Sequence, residues 1–126
     1  MTVDHQYEQS EVTDQLIGSI FRVYNNLKFG YQEKYYQRAF ALELGAGKIP
    51  FEREQVMPLK YQGRIIGRYF ADFVVAGSVV VELKVANEIL ETHVAQVLGY
   101  LKAVSLKVGL LFVITKDRVL IKRIVN

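Results

Sequence analysis

Cysteine is absent from the 126 residues, which removes disulfides and thiolate metal sites and makes a reducing cytoplasm the natural compartment. Histidine is nearly absent as well. With His5 and His93 alone, imidazole metal centres and Cys–His catalysis are poorly supplied. No apolar run approaches the roughly 18 residues needed to cross a bilayer, and the longest, from Val108 to Thr115, has the length of a strand. A membrane partner is therefore not expected. The opening segment from Met1 to Asp14 is polar and acidic where a signal peptide would carry its apolar core. Charges of the two signs nearly balance, with 16 Lys and Arg against 13 Asp and Glu. The net charge of +3 and pI of about 9.1 permit a polyanionic partner without demanding one.

What is present suits a folded domain. Apolar residues make up 51% of the chain, enough for a well-packed core. Linkers, repeats and low-complexity tracts are missing, so residues 1–126 read as a single domain. From Val12 onward Leu16, Ile20, Val23, Tyr24 and Leu27 recur at three- and four-residue spacing, one face of an amphipathic helix. Gly30 breaks that pattern. A second helix is expected from Tyr31 to about Leu44, stopped by Gly45-Ala46-Gly47.

After Pro50 the period changes to alternation. Segments near Phe51–Tyr61, Ile65–Val75, Val79–Val85 and Lys107–Thr115 are rich in β-branched and aromatic residues and read as strands, with turns at Gly63 and Gly77. Between the third and fourth, Val94, Val97, Leu98, Leu101 and Val104 form a helical stripe within Glu88 to Ser105. A short strand near Val119–Ile124 closes the chain. The order is α-α-β-β-β-α-β-β, an α/β fold with a mixed central sheet flanked by helices. The long strand–helix–strand passage allows the third and fourth strands to run parallel.

Two strands carry polar residues that interrupt apolar runs. In Val79 to Val85, alternation places Glu82 and Lys84 on one face together with Val80. A charge buried there without a partner is costly, so each requires an opposite charge or a metal ion. On the preceding strand Asp72 is a similar interruption, between Ala71 and Phe73. Asp72 and Glu82 meet across the hairpin if Val75 pairs with Val79 through a three-residue loop, or if a bulge compensates; an uninterrupted two-residue loop would set Asp72 against Leu83 and split the group across the sheet. Two converging carboxylates form a hard-oxygen site suited to Mg²⁺ or Mn²⁺. The same trio can equally be an ion-pair network on a half-exposed face.

The ordered set Asp72 and Glu82-Leu83-Lys84 resembles the PD-(D/E)xK nuclease superfamily. Gly30-Tyr31-Gln32-Glu33-Lys34-Tyr35-Tyr36 matches the Gly-x-x-Glu-x-x-Tyr signature of the GxxExxY protein family, a branch of that superfamily. The stretch through Pro50-Phe51-Glu52-Arg53 and the approach from Gly67 to Asp72 are similar to that family too. The resemblance covers roughly residues 10 to 115. It implies that Asp72 and Glu82 are metal ligands, with the Leu83 carbonyl as a further one. It also implies that Lys84 serves the attacking water and that Glu33 stands beside the metal. Ala71 replaces the motif's proline, a change that removes no ligand.

On the crossover helix, Gln96-Val97-Leu98-Gly99-Tyr100 matches the Gln-x-x-x-Tyr motif of RecB-type exonucleases in the same superfamily. His93, Gln96 and Tyr100 share a helix face at i, i+3 and i+7. The resemblance implies that Gln96 contacts substrate or the metal-bound water and that Tyr100 and His93 lie near the nucleic-acid backbone. A polar helix edge with a half-buried tyrosine is the plainer alternative. Arg64 and Arg68, with Lys60, Lys102 and Lys107, are the basic candidates for phosphate contacts. The expected function is Mg²⁺- or Mn²⁺-dependent hydrolysis of DNA. The alternative is a non-catalytic nucleic-acid-binding or protein-interaction module on a nuclease-like fold. A homodimer or a partner protein would supply the surface that so small a core lacks.

Overall fold

A computed structural model describes residues 9–126, so His5 and most of the polar opening segment lie outside the described residues. The first apolar stripe forms α1 (Ser10–Leu27), with Leu16, Ile20 and Val23 buried. The second helix, α2 (Glu33–Ala46), begins two residues later than its apolar pattern suggests. Its end also differs from expectation. Gly47 keeps a right-handed conformation, and Lys48 takes the left-handed turn at φ 56°. The last carbonyls are satisfied by the Gly47, Lys48 and Ile49 N–H groups.

The strands are β1 (Phe51–Tyr61), β2 (Arg64–Val75), β3 (Val79–Val85), β4 (Val108–Ile114) and β5 (Val119–Val125), and α3 (Glu91–Val104) connects β3 to β4. They form one sheet in the order β1-β2-β3-β4-β5. β3 and β4 run parallel and every other pair is antiparallel, which is the mixed sheet expected from the crossover. Gln62 and Gly63 (φ 50° and 77°) make the tight β1–β2 turn, where two consecutive positive φ values match the right-handed twist of a hairpin. Among the described residues no helix is long and apolar enough to cross a membrane.

Helices cover both faces of the sheet. α1 and α2 enclose one core, where the Phe40 ring meets Phe73 and Phe112 edge-on at centroid distances of 5.0 and 5.7 Å. α3 encloses a second core containing Val80, Val97, Leu101, Leu111 and Val113. β4 lies between the two cores and is buried throughout. Its unbroken Val-Gly-Leu-Leu-Phe-Val-Ile run is what a strand covered on both faces requires.

Along β2 the alternation of side chains inverts once. Phe73 and Val75 point into the first core, yet Ala71 and Tyr69, of the same parity, point into the second. The inversion falls at Asp72. Arg53 still pairs with Phe73 and Gln55 with Ala71, but between them Glu54 adopts φ 53° and the Glu54–Asp72 position drops out of the ladder. Beyond this point Val56, Ile66 and Phe70 are left exposed while Met57 and Tyr69 turn toward α3.

The approach of α3 to β2 depends on Gly99. A Cβ added there would lie 2.3 Å from the nearest atom of the Tyr69 ring. Gly99→Ala should therefore push the helix or the ring aside and destabilise the fold by about 1–3 kcal/mol. Urea unfolding measures this, and Gly99→Ala combined with Tyr69→Ala should show less than the sum of the two single losses.

Candidate active site

The β2–β3 hairpin meets the condition on which the site depends. Val75 pairs with Val79, and Ala76, Gly77 and Ser78 form the three-residue loop, with positive φ at Ala76 and Gly77. Pairing continues through Val74–Val80 and Phe73–Val81 and then ends. From there side chains replace the backbone ladder. The Asp72 N–H donates to Glu82 Oε1 at 2.9 Å, and the Leu83 N–H donates to Asp72 Oδ2 at 2.8 Å. The strands thus fork at Asp72 and Glu82, and each carboxylate satisfies a backbone donor that the opposite strand no longer reaches.

Glu82 is fully buried within this fork. Its Oε2 accepts from Gln96 Nε2 at 3.3 Å and lies 3.7 Å from the Lys84 ammonium, which keeps about a quarter of its side chain exposed. Burial pushes the Glu82 carboxyl up to about 8, and the adjacent Asp72 charge adds to the rise. Burial raises Asp72 as well, with Glu33 adding to it, while the Leu83 N–H and Lys84 oppose the shift. A single ammonium at 3.7 Å leaves this acid pair short of positive charge.

The other sequence candidates fall into two groups. Gln96 and Lys84 meet at Glu82, as just described. Glu33, at the first turn of α2, crosses from the opposite layer and accepts the Val85 N–H on Oε1 at 3.1 Å, at the end of β3. His93 feels both Lys84 and Glu33; burial and the Lys84 charge hold its imidazole below the usual range. Its Nδ1 accepts the Leu90 N–H at 3.2 Å, which leaves the proton of the neutral ring on Nε2.

Tyr100 is nearly buried in the second core, where burial and Glu52 raise its phenol. Its surroundings are those of a packing residue. Arg64 and Arg68 are exposed on the outer part of β2, eight and four residues before Asp72 respectively, and are not gathered with the acids. Gly99 is the residue that sequence reasoning passed over, although a glycine inside an apolar helical stripe signals close backbone approach.

Among the described residues no three His, Asp or Glu side chains form a ready metal cluster. The donor set nevertheless fits a hard divalent ion. Mg²⁺ commonly takes one or two carboxylates and retains several waters, and the Asp72–Glu82 pair is a group of oxygens in need of cationic charge.

A fold of this kind is that of a nuclease-like α/β protein. The family model described as the PD-(D/E)XK nuclease superfamily matches residues 10–124, and the chain belongs to that superfamily. Its members typically use divalent metals and act on nucleic acid. The crystal structure of SSO0001 is similar in fold, with a TM-score of 0.56 and 21% identity over 91% of this chain. The chain spans 65% of the length of that protein. No curated protein sequence matches significantly.

The raised Glu82 carboxyl makes stability depend on pH. Between the ordinary value of 4.5 and about 8 the folded protein holds a proton that the unfolded chain has released, so stability falls as pH rises through that window. Thermal unfolding in the absence of divalent ions should show a loss on the order of 1 kcal/mol per pH unit there. Glu82→Gln should flatten the dependence.

Proposed function

We propose that this protein hydrolyses phosphodiester bonds, with DNA as its substrate, at the fork between β2 and β3. The observation that carries this reading is the pairing of buried Glu82 with half-buried Asp72 and with the Lys84 ammonium 3.7 Å away. Asp72, Glu82 and the Leu83 carbonyl would hold Mg²⁺ or Mn²⁺, which when bound polarises the phosphoryl group and lowers the pKa of a coordinated water.

Each nearby side chain has a role open to it. Lys84 orients the attacking water and stabilises charge on the phosphate. Gln96 fixes the Glu82 carboxylate through its amide and extends toward substrate. Glu33 holds the end of β3 through the Val85 N–H. The Nε2–H of neutral His93 is a donor for a phosphate oxygen. Tyr100 contributes by seating α3. Arg64 and Arg68 would grip phosphates along the outer hairpin, away from the reacting group.

We further assign the chain, as one domain over residues 1–126, to the GxxExxY branch. Tyr36 supports this assignment: it is buried, its hydroxyl donates to the Lys28 carbonyl, and its ring braces the loop before Glu33. A competing reading as a non-catalytic binding module is favoured by one feature, the backbone N–H groups that already occupy an oxygen of each acid.

Incubation with Mn²⁺ and a panel of single-stranded, duplex and branched DNAs tests the proposal. Cleavage is expected, with Lys84→Ala lowering the rate at least about 100-fold. Calorimetric titration of Mn²⁺ should give saturable binding that Asp72→Asn abolishes. Metal uptake without cleavage of any substrate would favour the binding module.

A further inference from the structure

A second feature opens from the same helix that carries Glu33. Leu27, Tyr31, Tyr35, Arg38, Ala39 and Leu42 line a shallow cavity of about 390 Å³ on the outer side of α1 and α2. The volume is within the roughly 300–1,000 Å³ range of small-ligand sites. Tyr31 is 50% exposed, Tyr35 41% and Leu42 75%. Such an apolar opening on a surface calls for an occupant.

The one charged side chain that lines it, Arg38, is a cation, and Lys34 stands close by. Lys34 Nζ lies 5.3 Å and the Arg38 guanidinium 5.6 Å from the centre of the Tyr35 ring, and no acid lines the cavity. Glu33, the sole acid between Lys28 and Leu42, is turned toward β3 on the Val85 N–H. Tyr31 is held in place: its N–H donates to the Tyr36 hydroxyl at 3.4 Å, and its ring meets Tyr36 edge-on at 6.1 Å. Rigid aromatic rings beside cations are what unpaired nucleotides require, because bases stack on the rings while phosphates meet the ammonium and guanidinium groups. An apolar protein segment would need no such pair of cations.

We infer that Tyr31, Tyr35, Lys34 and Arg38 form a stacking platform for single-stranded nucleic acid. It extends the proposed nuclease site and rests on that reading for its place in the reaction. Along the helix axis Arg38 lies about 8 Å from Glu33. The platform thus selects unpaired over duplex strands, because stacking needs exposed base faces.

The test is fluorescence anisotropy of a labelled oligothymidylate in EDTA, where no cleavage intervenes. Tyr31→Leu and Tyr35→Leu should each weaken binding roughly 5- to 150-fold, while the phenylalanine variants bind as the parent does. Arg38→Gln should reduce the salt dependence of binding. Equal affinity for the leucine and parent proteins, each with an unchanged thermal midpoint, overturns the platform. So does a change of oligomeric state on Leu42→Asp by sedimentation with oligonucleotide affinity unaltered, which would make the surface a contact between copies. Tyrosine-dependent binding without any Mn²⁺-dependent cleavage refutes the nuclease proposal and leaves the platform standing. Cleavage with tyrosine-independent binding does the reverse.

Discussion

A carboxylate at the centre of a protein must be given hydrogen bonds, and meeting that demand for Glu82 organises much of this fold. Its side chain accepts the Asp72 N–H where the ladder between β2 and β3 stops, and Asp72 returns the bond to Leu83. Two strands can part there without leaving orphan donors. At that parting an acid pair, an amide and an ammonium converge. Replacing either acid by an apolar group would strand a backbone N–H, so the site is at once a functional candidate and a structural joint.

The crossover connection is the second half of that joint. Because β3 and β4 run parallel, the chain must cross a face of the sheet between them, and α3 does so on the face that bears Glu82 and Lys84. Close contact between Gly99 and Tyr69 sets the depth of the helix, and that depth brings Gln96 within reach of Glu82. The helix layer on the other face contributes through a single side chain, Glu33, which reaches the end of β3. Residues from four elements thus meet at one strand end. A fold of this class supports many activities, so the chemistry has to be argued from these side chains and not from the architecture.

Much of this was legible in the chain. Five strands and three helices are readable from hydrophobic period and turn residues, because burial on one face of a helix or two faces of a strand leaves a regular trace. The parallel pairing of β3 and β4 was allowed by the length of the passage between them, and the fold adopts it. Asp72, Glu82 and Lys84 stand out because charges inside Val- and Phe-rich runs are costly. The three-residue loop at Ala76 to Ser78 could be named as a condition but not chosen, since Gly77 suits a two-residue turn as well.

The sequence by itself determined the elements, their order and the identity of the acids that could not be buried alone, all of which are local consequences of period and charge. Only the tertiary structure decided how those residues are used. The inversion of side chains at Asp72 depends on Glu54 in the neighbouring strand, and it breaks the simple alternation of β2. Tyr100 became a core residue and Glu33 a partner of the Val85 N–H because of how closely α2 and α3 approach the sheet. Arg64 and Arg68 lie apart from the acids because the hairpin carries them outward. Pairing register, helix depth and strand divergence arise from contacts between segments far apart in the chain, and one-dimensional patterns carry no measure of those distances.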